Sequence, residues 1–231
     1  HKLADPGAFD AADRLVFMPD LMHYWLSGNV TVEATIASTS QMVDCHTGDW
    51  AHDMLAELGL PRHILPPISP PGTVVGAIRP MLAAVTGLPT DLKVIAPAAH
   101  DTASAIAAVP AADGGTANNW CYLSSGTWSL LGAELPAPCV TPAAQEAMFT
   151  NELGVLGTTR FLKNIPGLWL VQECRRDLSR QGRDLDYKGL TRLATEADSQ
   201  RTLIDPAHES FQTPGDMLAK IAAYARSTDQ P

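Results

Sequence analysis

Three consecutive side chains, His100, Asp101 and Thr102, stand in the stretch 98–110, AAHDTASAIAAVP. An apolar run, 92–96 (LKVIA), leads into it, and Pro97 stops that run. The run is short and does not alternate, which suits a strand buried on both faces. A small-residue helix is expected over 102–108, with Asp101 at its mouth. Ligands of α/β folds gather at the carboxyl ends of strands, so a carboxylate there is placed to take a proton or orient a hydroxyl. Asp is also a favoured cap residue, and capping alone would explain it.

A second candidate is 124–129, SSGTWS. A turn centred on Gly126 presents backbone N–H groups, and Thr127 and the flanking serines add hydroxyls, a geometry that suits a phosphate. A plain hairpin has the same pattern. The spacing is not GxxxxGK[ST], so it is no Walker loop. Asn164 and Gln172 stand at the start of a long helix expected over 168–180, where they could also be a cap and an exposed polar face.

Other chemistries fit less well. Ser124, His100 and Asp101 lack a GxSxG elbow, and adjacent His and Asp do not form the usual relay of a serine hydrolase. Asp101 has no evident carboxylate partner for glycoside hydrolysis. Cys45, Cys121, Cys139 and Cys174 are widely spaced without a CxxC pair, and His46 and His52 near Cys45 match no metal spacing, so no residue is assigned to a metal. Asn29-Val30-Thr31 matches a glycosylation acceptor without a secretory signal. The chain has 231 residues, 45% of them hydrophobic and 18% charged, which is enough to bury a core in one large domain or two small ones. Net charge is −9 with no Lys/Arg run, against a nucleic-acid binder. No apolar run approaches a membrane span.

The elements that must position these residues follow from periodicity and punctuation. Helices are expected over 19–27 (closed by Gly28), 49–58, 80–86 (closed by Gly87), 142–148, 168–180 (closed by Gly182), 187–197 and from Thr213-Pro214 onward. Strands are expected over 72–77, 92–96, 120–123, 127–131 and 158–162, with a turn over 163–167. In the first helix Leu21, Met22, Trp25 and Leu26 pair at i,i+4 and should pack, with His23 and Tyr24 as packing residues. In the long helix the expected apolar stripe is Leu168, Val171, Cys174 and Leu178. In the last it is Met217, Ile221 and Tyr224. Residues 32–44 are rich in small hydroxylated side chains, which could line a polar pocket or simply pack tightly. The Gly-rich stretch 111–119 is the best internal boundary.

Taken together, 98–110, 121–132 (CYLSSGTWSLLG) and 160–176 (RFLKNIPGLWLVQECRR) resemble the rhamnulokinase branch of the FGGY carbohydrate kinase family. So do 17–28 (FMPDLMHYWLSG), 35–50 (TIASTSQMVDCHTGDW) and 204–211 (IDPAHESF). The resemblance implies an α/β, actin-like (ribonuclease H-like) two-domain sugar kinase fold. Residues 1–113 would be the later part of the N-terminal domain, on the sugar side, and 114–231 the earlier part of the C-terminal domain, on the nucleotide side. It implies transfer of the ATP γ-phosphoryl, with Mg²⁺, to O1 of L-rhamnulose in the cytoplasm, by a monomer or homodimer. Asp101 matches the catalytic base. His100, Thr102 and Asn164 match sugar contacts, and Gly126, Thr127 and Gln172 match the nucleotide side. The family's opening strand–turn and late Gly-rich segment have no counterpart here, so the chain reads as an internal piece that does not turn over alone. Leu153 and Pro166 depart from the pattern and could reshape the sugar loop. The alternatives are a non-catalytic sugar- or nucleotide-binding piece, and a kinase of another ketose such as L-fuculose or D-xylulose.

Overall fold

The computed structural model describes residues 7, 11–111, 120–198 and 202–230. The boundary expected at 113/114 and most of 111–119 lie outside the described residues, as does much of the polar segment 1–14.

Along the chain come α1 (Met18–Ser27), β1 (Val32–Glu33), α2 (Ala34–Ser38), α3 (His52–Glu57), β2 (Ile68–Ser69), β3 (Thr73–Ala77), α4 (Pro80–Thr86), β4 (Lys93–Ala96) and α5 (Asp101–Ala107). Then follow β5 (Tyr122–Ser124), β6 (Trp128–Leu135), α6 (Pro142–Glu146), β7 (Thr150–Leu153), β8 (Thr159–Pro166), α7 (Leu168–Arg180), α8 (Tyr187–Glu196) and α9 (Met217–Ser227). Gly28 and Gly87 close α1 and α4 in the left-handed region, as their positions predict.

The chain forms two compact units: 1–121 with 133–162, and 122–132 with 163–231. In the first, Val32, Ala37, Trp50 and Leu55 form the core, with Phe17, Met42, Leu65 and Ile68 against them. The Trp50 indole N–H donates to the Pro66 carbonyl (2.7 Å). This bond satisfies the ring's one polar atom and fixes the proline-rich connector. β1 pairs parallel with β2, β3 antiparallel with β4, and β7 antiparallel with β8 from Thr150–Leu162 to Leu153–Thr159. In the second unit, β5 pairs antiparallel with β6, and Leu170, Phe211 and Met217 form the core, with Ile221 and Tyr224 of the expected α9 face packed on it.

Several expectations are corrected. β4 is not buried on both faces: Val94 and Ala96 are buried, while Lys93 and Ile95 are exposed. Among the described residues β4 pairs only with β3, and such an antiparallel ribbon leaves one face in water. On α1 the buried residues are Asp20 and His23, while Met22, Trp25 and Leu26 are exposed, because the Asp20 carboxylate reaches the Glu33 N–H. On α7 Leu168 and Val171 are exposed, and Glu173 and Asp177 are buried beside Leu170 and Leu178. Those two carboxylates accept from the N–H groups of Gly215 and Leu218 at the start of α9. The turn expected over 163–167 is strand up to Pro166. The helix expected over 49–58 is only His52–Glu57, because Trp50 bridges back to Val43.

Candidate active site

α5 begins at Asp101, and His100 is its N-cap residue by backbone, without a side-chain cap bond. Asp101 is therefore inside the first turn and is not the cap. Its Oδ1 accepts from the Thr102 N–H (2.6 Å) and hydroxyl (3.3 Å), which fixes the carboxylate's orientation. The side chain is 95% exposed. A carboxylate at a helix start is favoured by the helix dipole.

The segment ahead of α5 is clamped by two buried residues that sequence reasoning missed. Glu33 Oε2 accepts from the N–H of Ala99 (2.9 Å), the N–H of Ile36 (3.2 Å) and the Thr35 hydroxyl (2.6 Å). Thr35 Oγ1 in turn accepts from the His100 N–H (3.1 Å). Glu33 thus caps α2 and binds the β4–α5 loop, and within the hydroxyl-rich stretch 32–44 Thr35 and Ser38 are buried. Ser38 Oγ also accepts from the Leu153 N–H (2.9 Å) of β7.

β7 and β8 bring a further pair. Glu152 Oε2 accepts from Arg160 Nη2 (2.7 Å) and lies 3.8 Å from His100 Nδ1. His100 Nε2 lies 3.7 Å from Asp101 Oδ1. Burial pushes the His100 pKa down, and the Arg160 guanidinium adds to this. Glu152, Asp101 and Glu33 pull the other way, and the net shift is downward. The ring is therefore held neutral at physiological pH. His100, Asp101 and Thr102 stand together at the end of β4, as expected.

In the second unit the Gly126 turn docks on the start of α7. The carbonyl of Gly126 accepts from the Leu168 N–H (2.9 Å), and that of Thr127 accepts from the N–H groups of Gly167 (3.2 Å) and Trp169 (3.0 Å). Carbonyls facing the helix turn the Thr127 N–H the opposite way, because the peptide is planar and trans. Thr127 Oγ1 accepts from Gln172 Nε2 (3.0 Å), so its own hydrogen is left to donate. Gly126, Thr127 and Gln172 are thus brought together. Asn164 is exposed on β8 and does not cap α7; that position belongs to Gly167. Among the described residues no group of three or more His, Cys, Asp or Glu could hold a metal ion, and no helix is long and apolar enough to cross a membrane.

Residues 2–108 match the N-terminal domain of the FGGY family of carbohydrate kinases, and residues 121–230 match its C-terminal domain. A protein of Bacteroides thetaiotaomicron named rhamnulokinase is 43% identical over 97% of this chain and 44% of its own length. The rhamnulokinases of Enterococcus faecalis and Oceanobacillus iheyensis are 38% and 36% identical, over 95% and 99% of the chain. The chain spans less than half of each: 43% and 46% of the latter two. Among solved structures, the xylulose kinase of Lactobacillus acidophilus superposes with a TM-score of 0.68 at 18% identity, over 86% of this chain and 38% of its own. That of Rhodospirillum rubrum gives 0.66 at 24%, over 86% and 39%. The fold is thus the actin-like α/β fold of the sugar kinases, and the chain belongs to the FGGY family of carbohydrate kinases.

Proposed function

We propose that this chain is part of an ATP-dependent ketose kinase that phosphorylates O1 of L-rhamnulose, with Asp101 as the base. The observation that carries the reading is the Asp101 carboxylate, exposed at the first turn of α5 while the backbone just ahead of it, at Ala99 and His100, is clamped by Glu33 and Thr35. The names of the curated relatives support the sugar. In the reaction the sugar O–H bond breaks and its proton passes to Asp101. The oxygen forms a bond to the γ-phosphorus, and the bond from phosphorus to the β,γ-bridging oxygen breaks to release ADP. Such a transfer depends on positioning and charge stabilisation more than on covalent help.

His100, Thr102 and Asn164 hold the sugar in this reading. On the nucleotide side Thr127 donates its hydroxyl and backbone N–H to phosphate oxygens, Gln172 fixes that hydroxyl, and Gly126 lets the turn approach. Mg²⁺ arrives as part of the nucleotide substrate, sharing the phosphate charge. The domain division at 113/114 and a cytoplasmic location, where four free cysteines stay reduced, belong to the same proposal.

The test replaces the matching segment of the Bacteroides relative with this chain and follows ATP-dependent ADP release with L-rhamnulose, L-fuculose and D-xylulose. L-Rhamnulose should be preferred. Asp101→Asn should lower kcat by roughly 10²–10⁴-fold while sugar binding is kept. Unchanged turnover in that variant would make Asp101 a helix-terminal residue only. Preference for another ketose would keep the base and move the substrate.

A further inference from the structure

We propose that Glu152 is a positioning residue that holds the His100 ring with its hydrogen on Nδ1. His100 Nε2 then stands beside the Asp101 carboxylate as an acceptor for a second sugar hydroxyl. The inference rests on the kinase reading above and adds a determinant of which substrates the base can take.

The argument begins from geometry. The imidazole lies between two carboxylates: Glu152 Oε2 is 3.8 Å from Nδ1, and Asp101 Oδ1 is 3.7 Å from Nε2. A neutral ring has one N–H to give, so it donates toward only one of them. The two sides differ in kind. The Glu152 side chain is 14% exposed and is fixed by Arg160, whose own side chain is 1% exposed. The Asp101 carboxylate is almost wholly in solvent and takes its donors from the adjoining Thr102. Nδ1 is buried and makes no hydrogen bond, while Oε2 is an acceptor about 1 Å beyond ideal reach. Contacts of this kind tighten when a ligand closes the site. The charged groups that face the ring are Glu152, Asp101, Glu33 and Arg160, and their balance with burial keeps it neutral, as the tautomer argument requires.

The tautomer decides what Asp101 can do. With hydrogen on Nε2, the ring would donate to Asp101 Oδ1, which already accepts from Thr102, and a further donor there would lower the basicity of the carboxylate that must receive the sugar proton. With hydrogen on Nδ1, both Nε2 and Oδ1 are acceptors, and neither satisfies the other. The site then calls for a ligand with two hydroxyl donors close together. One is the O1 hydroxyl that reacts and the other the hydroxyl that a ketose carries on C2 in its ring form. Arg160 takes part by fixing Glu152: Nη2 donates to Oε2, and Nε donates to the Leu153 carbonyl at 3.3 Å. A purely structural Glu152, serving only as counter-ion to buried Arg160, would have no effect on which ring nitrogen carries the hydrogen.

The experiment uses Glu152→Gln. Because the same Oε2 faces both Arg160 Nη2 and Nδ1, the amide presents there a neutral oxygen in place of a carboxylate, and the full charge of Asp101 then draws the hydrogen to Nε2. Long-range ¹H–¹⁵N correlation on the ¹⁵N-His-labelled chain reads the tautomer, with His100 assigned by its loss in His100→Gln. The expected result is Nδ1–H in the wild type and Nε2–H in E152Q. In the chimera described above, KM for the sugar should rise about tenfold in E152Q, about the worth of one good hydrogen bond, with KM for ATP unchanged and E152D closer to wild type. An Nε2–H wild type, or an E152Q ring with unaltered tautomer, overturns the proposal. So does a switched tautomer with an unaltered sugar KM. The wild-type spectrum needs no substitution, so a variant that fails to fold does not shield the idea. Absence of sugar phosphorylation by the wild-type chimera would instead overturn the kinase reading, leaving the tautomer to be judged from the spectra.

Discussion

Gly167 has no room for a side chain. A Cβ there would lie 2.2 Å from Ser129 Oγ and 2.7 Å from the Gly126 carbonyl oxygen, the second of which is backbone and cannot swing aside. This close approach is enough by itself to require the glycine. The approach lets the Gly126–Thr127 carbonyls take up the first N–H groups of α7 and sets Thr127 against Gln172. Gly167→Ala should therefore cost about 1–3 kcal/mol through overpacking. It should also raise amide exchange at Leu168 and Trp169, whose acceptors are those carbonyls. Wild-type exchange at both amides in the variant would show that the turn does not depend on this contact. Asp101 is the opposite kind of residue: its carboxylate is almost wholly exposed, and its substitution should touch turnover far more than stability.

α7 and α9 are joined by charge as much as by apolar packing. Glu173 Oε2 accepts from the Gly215 N–H (2.9 Å) just ahead of α9, and Asp177 Oδ2 from the Leu218 N–H (3.1 Å) inside it. Each carboxylate also pairs with an arginine one turn on, Arg176 and Arg180. Glu173 is buried and Arg176 largely exposed, so the two partners should not be equivalent. Glu173→Ala leaves the Gly215 N–H unsatisfied and should cost about 1–3 kcal/mol in denaturant unfolding. Arg176→Ala should cost about 1 kcal/mol or less, as exposed pairs do. Equal losses would place the energy in the ion pair and not in the cap. This pair also shows where sequence reading stops. The bounds of α4 and α7, and the glycines closing α1 and α4, were legible because caps and breakers act within a few residues. The expected stripe on α7 failed because periodicity counts a buried glutamate as an outward residue, and its partner lies 42 positions away. Glu33 went unread for the same reason, its bond to Ala99 spanning 66 positions. Asp101, Thr127 and Gln172 were singled out from motif order, while Glu152 and Arg160, which face His100 only once β7 pairs with β8, were not.

Two buried carboxylates give the two compact units opposite responses to pH. In the first unit burial raises the Asp20 pKa to about 6 from an ordinary 3.8, against the Glu33 N–H and His23, which lower it; Oδ2 is buried without a partner. A raised folded pKa means that the folded unit binds the proton more tightly than the unfolded chain does. Its stability is then highest below pH about 4 and is lost as pH rises through about 6, by an amount on the order of 3 kcal/mol. In the second unit burial raises the Asp177 pKa, but the Leu218 N–H, the Arg180 guanidinium and the Met217 N–H outweigh it, and the net shift is downward. A lowered folded pKa gives stability that is present above 3.8 and lost as pH falls through the folded value. Amide protection, corrected for intrinsic exchange, should therefore fall in the first unit between pH 4 and 7 and in the second below pH about 4. The net charge of −9 adds a general repulsion that also grows with pH, but salt screens it and leaves a desolvated buried carboxyl untouched. The slope that survives in high salt belongs to Asp20, and Asp20→Asn should flatten it while leaving the acid loss in the second unit as it was. Parallel pH profiles in both sets of amides, or a slope unchanged in Asp20→Asn, would show that neither carboxylate governs the unit that buries it.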